Sequence, residues 1–388
     1  MRVAYVCADP GLPVFGRKGG SVHVQEVLRA LRRQGHEVCL FATRLGGPPA
    51  PALEDVPVHL LPAIGAGPAE EREAEARAAN RLLGEVLEFA GPFDLVYERY
   101  SLWSRAGMAW ARRAGVPGVL EVNAPLIDEQ ARHRSLVDRE GAEDCARAAF
   151  ADATCVISVS EPVAAWARAR MDDGRRAHVV PNGVDPERIT WRRPGPPAPT
   201  FTVGFVGTLK PWHGLGTLVD AVALLAEGDP TYRLLVVGDG PEAAAVAAQV
   251  DQRGVAAITT LTGSVDPAEI PEHLHRMDVG VAPYPDLAQF YFSPLKIYEY
   301  LAAGLPVVAS RVAQVDELID DGRTGVLCPP GDPAALAAAL AGLRADPRRC
   351  ASMGLAGRHE VVARHSWAGV VERILDLAVA TGPSRAAA

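Results

Sequence analysis

The chain has 388 residues, 48% of them hydrophobic, and a formal net charge of −8 at pH 7. This length exceeds one ordinary core and suits two domains, and the hydrophobic share implies a packed globular protein rather than a disordered one. The acidic balance argues against a sequence-blind nucleic-acid binder.

Residues 2–8 (RVAYVCA) predict a first strand. A glycine-rich loop follows and runs into an amphipathic helix. Gly19 and Gly20 stand at its start, and Val24, Val27, Leu28 and Leu31 form its apolar face. Gly35 ends it, and VCLFAT is a second strand, which completes a βαβ unit. The loop lacks G-x-G-x-x-G, so the dinucleotide fingerprint is absent. What remains is a glycine pair that lets backbone approach a ligand closely, flanked by Lys18 and His23.

Residues 66–92 read as an exposed helix, and 93–104 as a strand and its exit loop. Residues 116–134 give another strand, whose exit carries Glu121, Asn123, Asp128 and Glu129. Residues 153–170 are a strand and helix with Ser158 and Ser160 at its mouth, and 177–189 a strand and an Asn-Gly turn. WRRPGPPAPT, 191–200, is the clearest linker. From 201 the βα alternation restarts, with strands in FTVGFVG, YRLLVVGDG, AAITTLTGSV, VGVAPY and GLPVVAS, and a terminal helix over 366–380. The reading is α/β: one half at 1–190, a second at 201–365, and a cleft between them where the C-terminal strand ends meet.

The stretch 290–310, FYFSPLKIYEYLAAGLPVVAS, organises the second half. Ser293 can cap a helix and Pro294 is tolerated in its first turn. Ile297, Tyr298 and Leu301 recur at helical spacing, Gly304 stops the helix, and a buried strand follows. Lys296 and Glu299 share one face. An i,i+3 ion pair worth ~0.2–0.5 kcal/mol is the plain account, but it leaves a cation in the first turn, where the helix dipole disfavours it. A phosphate bound at the N-terminus reverses that penalty. Only three of the 39 basic residues are lysines, Lys18, Lys210 and Lys296, and all lie in loops or at a helix start near the expected cleft.

The run resembles the donor-site signature of glycosyltransferase family 4, retaining nucleotide-sugar enzymes of the GT-B fold: two glutamates eight residues apart, then A-x-G-x-P-V-V. Glu299 matches the second glutamate. Tyr291 stands where the first belongs, as in branches with S-P-x-K-x-x-E. The resemblance implies two Rossmann-like domains facing across a cleft, with the terminal helix crossing back to the first. It assigns catalytic roles to Lys210, Lys296 and Glu299. On the donor side it places Gly19, Gly20, Gly207, Thr208, His213, Gly238, Ser264, Val265, Tyr291, Ser293, Pro294 and Leu295; on the acceptor side, Asn123, His23 and Glu129. His213, where the family has lysine, is expected to donate a hydrogen bond or, protonated, to add charge. A nucleotide-diphosphate sugar, most often a UDP-sugar, is implied as co-substrate, with no separate cofactor and no obligatory metal. The acceptor is a small molecule or a glycan. An epimerase or other enzyme on the same fold, or a silent nucleotide-sugar binder, stays open.

Six cysteines form no C-x-x-C pair and fit a reducing cytoplasm better than a disulfide scaffold. No stretch approaches the ~20 apolar residues of a membrane span, which leaves peripheral membrane association open.

Overall fold

A computed structural model describes residues 1–192, 199–287 and 290–381. Most of the expected linker at 191–200 lies outside them. The first half forms a seven-stranded sheet from β1 (Arg2–Cys7), β2 (Glu37–Ala42), β3 (Val58–Leu60), β4 (Leu95–Arg99), β5 (Gly118–Val122), β6 (Cys155–Ser158) and β7 (Ala177–Val179), in the order β3-β2-β1-β4-β5-β6-β7. The second half forms a six-stranded sheet from β8 (Phe201–Val206), β9 (Tyr232–Val237), β10 (Thr259–Leu261), β11 (Val279–Ala282), β12 (Val307–Ser310) and β13 (Gly325–Cys328), in the order β10-β9-β8-β11-β12-β13. Every strand pair is parallel, which requires helices over both faces.

Burial on two faces explains why the strands read as unbroken apolar runs. Val3, Tyr5 and Cys7 meet Val24, Val27, Leu28 and Leu31 of the Gly19–Arg33 helix on one face of the first sheet. Ala4 and Val6 meet Leu83 and Leu87 on the other. The strand order reverses between β1 and β4, and again between β8 and β11. Crevices at such switch points, beyond the C-terminal strand ends, are where open α/β sheets take ligands. Gly19 and Gly20 follow β1, and Gly207 follows β8, so each sheet places a glycine turn at its own crevice.

The last helix, Trp367–Thr381, packs in the core of the first half rather than the second. Trp367, Val370, Val371, Ile374, Leu375 and Ala378 bury their side chains against the Gly19–Arg33 helix and the first sheet. The crossing is pinned at Val184, whose N–H donates to the His365 carbonyl at 2.9 Å and whose carbonyl accepts from the Trp367 N–H at 3.0 Å.

Two strands escape sequence reading. β3 is three residues long with Val58 and Leu60 exposed, so it carries no apolar run. β13 lies at a sheet edge and is four residues long. All six cysteines are free thiols. No described helix is long and apolar enough to cross a membrane.

Glu98, at the end of β4, is fully buried. Burial pushes its carboxyl up to about 7, against the opposing hydrogen bonds from Ser104 and the Met108 N–H. A carboxyl raised in the fold binds its proton more tightly there than in the unfolded chain. Its contribution is therefore full below the usual carboxylate pKa and is lost as pH rises toward 7, by up to about 1.4 kcal/mol per unit. The Glu98→Gln variant is expected to match the wild type in melting temperature near pH 4.5 and to exceed it at pH 8. Thermal unfolding across that range checks this, and a pH-independent difference contradicts it.

Candidate active site

Two helix N-termini converge across the gap between the sheets. The Gly19–Arg33 helix begins with no side-chain cap and no acidic residue in its first turn. The Leu295–Ala303 helix also begins without a side-chain cap, at Pro294. A Cβ at Gly19 would lie 3.6 Å from Leu295 Cδ1, so the two helix starts lie against each other. Each exposes N–H groups without intrahelical partners, the positive end of its dipole.

Lys296 lies in the first turn of the second of these helices and is buried to 8% exposure. Its Nζ has no hydrogen-bond partner. It sits 3.9 Å from the centroid of the Phe205 ring and 5.6 Å from that of Tyr284. Burial depresses its pKa well below the usual lysine value, with Glu299 opposing. Cation–π contact softens the burial of an ammonium without replacing its hydrogen bonds. Gly207 makes the approach possible: its φ is +141°, and a Cβ there would come within 3.2 Å of Lys296 Nζ. Gly238, after β9, is equally constrained, because a Cβ would fall 2.1 Å from the Gly207 carbonyl oxygen.

Of the two parts expected of His213, the structure has it donating a hydrogen bond, to a backbone carbonyl of its own loop. Its Nδ1 lies 2.5 Å from the Thr208 carbonyl oxygen. A carbonyl only accepts, so Nδ1 carries the proton and Nε2 the lone pair. Burial, then Lys296, pushes the imidazole down to about 3. His213 is thus neutral at physiological pH, and its one N–H is committed to the Thr208 turn. Lys210 is half-buried, with Nζ 5.4 Å from the centroid of the Trp212 ring, which in turn stacks on Phe292 at 6.2 Å.

Glu299 does not pair with Lys296. Its Oε1 lies 2.9 Å from Arg188, which also holds Glu26 of the Gly19–Arg33 helix at 2.9 Å. The simple i,i+3 ion pair is therefore absent, and the ammonium is left alone. Neither Glu26 nor Arg188 is visible as a site residue in sequence, since the contacts span 162 and 111 positions.

The loop before the Leu295–Ala303 helix is tied to the first half. Ser293 does not cap the helix; its Oγ accepts from the Asn182 N–H at 3.1 Å and its carbonyl from Asn182 Nδ2 at 2.8 Å. The Tyr291 carbonyl accepts from Ser160 Oγ at 2.8 Å, and the Tyr291 hydroxyl donates to Glu129. Tyr291 and Glu129, expected on opposite sides of the reaction, are thus one contact. Asn123 stands at the β5 exit, with its Oδ1 buried and unpartnered. Gly238 hydrogen-bonds the Gly263 carbonyl at 3.1 Å, which brings the loop of Ser264 (exposed) and Val265 (half-buried) beside Gly207. Ala288 and Gln289 lie outside the described residues.

His23 is a correction. It is 3% exposed, 2.8 Å from the Glu121 carboxylate, and edge-on to Trp367 at 4.9 Å. It is a core residue beneath the C-terminal helix, with no surface to offer an acceptor. Burial would raise the Glu121 carboxyl, but His23, Arg99 and Tyr97 outweigh it and hold the group below the usual range. Among the described residues no group of His, Cys, Asp and Glu is arranged to hold a metal ion.

An unpaired buried ammonium is a standing cost to the ligand-free fold. The Lys296→Met variant is therefore expected to be more stable than wild type without ligand, by about 1 kcal/mol or more. Urea unfolding measures it; a clear destabilisation would show that Lys296 is satisfied within the protein itself.

Comparison with known proteins finds relatives in sequence and in fold. Residues 17–188 match the family model described as Glycosyltransferase Family 4, and residues 200–346 that described as Glycosyl transferases group 1. The chain is 28% identical to the D-inositol 3-phosphate glycosyltransferase 2 of Catenulispora acidiphila over 94% of its own length and 91% of that protein. A shorter match, 29% identical over 49% of this chain and 45% of the relative, is to a Mycobacterium tuberculosis glycogen synthase. Among solved structures, sucrose-phosphate synthase from Thermosynechococcus elongatus superposes with a TM-score of 0.74 at 22% identity, covering 97% of this chain and 98% of that one. HepE of Anabaena, in complex with UDP-glucose, gives 0.69 at 19%, with the same coverage. At these identities the structural likeness shows the fold.

Proposed function

We propose that this chain, a glycosyltransferase of the family 4, GT-B type, moves a sugar from a nucleotide-diphosphate sugar to an acceptor hydroxyl with retention of configuration. The observation that carries the reading is the unpartnered Lys296 ammonium, walled by Phe205 and Tyr284 at a helix N-terminus with a second helix N-terminus against it. A diphosphate suits such a site.

In the proposed reaction the bond between the anomeric carbon and the diphosphate oxygen breaks. The acceptor oxygen bonds to the same face of that carbon, and the acceptor proton passes to the departing diphosphate. Lys296, Lys210 and the helix N-termini oppose the negative charge that develops as the diphosphate leaves. Glu299 accepts from the ribose hydroxyls. No protein base is needed, which suits a site where His213 is neutral with its proton committed elsewhere. UDP is the favoured nucleotide: HepE, of the same fold, was solved with UDP-glucose. The acceptor is a small polyhydroxylic molecule or a glycan, reached from the side of Asn123 and Glu129.

A melting-temperature panel with UDP, GDP, dTDP and ADP tests the donor half of this reading. A diphosphate at a hundredfold excess over its Kd stabilises the fold by ~2.7 kcal/mol. One of the four is expected to raise the melting temperature of the wild type, and Glu299→Ala and Lys296→Met to abolish the rise while still unfolding cooperatively. No response to any of the four in folded wild-type protein would remove the donor site from the Leu295–Ala303 helix. For the transfer itself, an α-configured donor is expected to give an α-configured product by NMR, and a β-product would overturn retention.

A further inference from the structure

Arg188 belongs to none of the sequence motifs, yet its side chain, 18% exposed, sits where three segments meet. Its Nε contacts Glu26 at 2.9 Å, one terminal nitrogen contacts Glu299 at 2.9 Å, and the other donates to the Pro267 carbonyl at 3.4 Å. Glu26 lies two turns into the Gly19–Arg33 helix with its side chain 1% exposed, and takes a second bond from Arg29 at 2.9 Å. Pro267 closes the loop that begins at Gly263. Burial would make the guanidinium less basic, but Glu299 and Glu26 outweigh it and hold it firmly charged.

The arrangement matters because of what it prevents. Lys296 and Glu299 lie three residues apart on one helix, the spacing at which opposite charges pair. A buried ammonium without a hydrogen-bond partner is a strong attractor for such a carboxylate. Glu299 is instead drawn to the other side, and both its ion pair and its hydrogen bond to Arg188 use Oε1. Among the described residues Oε2 has no hydrogen-bond partner.

We propose that Arg188 is a positioning residue for the nucleotide: by holding Glu299 between the two helices, it keeps Lys296 unpaired for a diphosphate and leaves one oxygen of Glu299 free for a vicinal diol. The inference rests on the donor reading above. Arginine suits the task where lysine does not, because its planar fork reaches two carboxylates and a carbonyl at once, whereas an ammonium on a flexible stem commits to one. Glu26 fixes the fork from the far side, so the orientation of Glu299 depends on a residue of the first half.

The test measures UDP affinity by calorimetry, or that of GDP, dTDP or ADP where the panel selects it, for full-length wild type, Arg188→Ala, Glu299→Ala and the double variant. Arg188→Ala is expected to weaken binding by about tenfold or more. Once Arg188 is gone, Glu299→Ala is expected to cost much less than it costs alone, because the two act as one unit. Should Arg188→Ala not fold, Arg188→Lys with Glu26→Gln carries the same test, each expected to bind more weakly than wild type and more tightly than Glu299→Ala. A residue that merely braces the fold would lower the melting temperature and leave UDP affinity within twofold of wild type; that result, or losses that simply multiply, overturns the inference. If wild-type protein binds no nucleoside diphosphate, the donor reading fails, and this inference with it.

Discussion

An ammonium buried without a partner is the constraint around which the second half is built. Lys296 has lost its water and gained two aromatic faces, Phe205 and Tyr284, in place of hydrogen bonds. Nothing about folding asks for it, and a methionine would fill the same volume at lower cost. Its surroundings keep it in that state. Gly207 brings backbone to van der Waals distance where a side chain would not fit, His213 stays neutral beside it, and Glu299 is held elsewhere. Such a site is stable only because the rest of the half, with β11 and β12 fully buried and β8 and β9 nearly so, over-determines it.

The site also joins the two halves. Ser160 and Glu129 hold Tyr291, Asn182 holds Ser293, and Glu26 holds Arg188 and through it Glu299. Each contact links a residue of the first half, or of the segment leaving it, to the loop or helix that presents Lys296. A shift of one sheet against the other therefore changes the geometry around the ammonium directly. Tyr291 has a clear place in this scheme. Where the glycosyltransferase signature that this stretch resembles has a glutamate, this chain has an aromatic residue whose hydroxyl is fastened to a carboxylate of the first half.

Much of this was legible in sequence, and what was not has a physical cause. The βα alternation, the glycine turns after β1 and β8 and the Leu295–Ala303 helix follow from local pattern, because period, caps and glycines are local signals. The importance of Lys296 was legible from the misfit between a cation and a helix N-terminus. The roles of His23 and His213 were not. His23 lies on the helix after a glycine loop, but a helix arriving from more than 300 residues later covers it. His213 sits in a basic loop, but its proton belongs to a carbonyl five residues back. Arg188 and Glu26 were invisible because sequence shows charge, not which charges meet.

The covering of His23 has a further consequence for the first half. The Gly19–Arg33 helix is held on one face by the first sheet and on another by the Trp367–Thr381 helix. Its N-terminus lies against Leu295 at the start of the helix that carries Lys296, its second turn holds Arg188 through Glu26, and His23 between them is fixed by Glu121 and Trp367. The rigidity of the glycine turn therefore depends on the end of the chain. Loss of the last helix would uncover His23, on which Trp367 packs, and would take one of the two packed faces from the helix that carries Glu26. A helix far from Lys296 in sequence thus packs on the helix whose start lies against Leu295, and in a close-packed core strain passes between elements through their contacts.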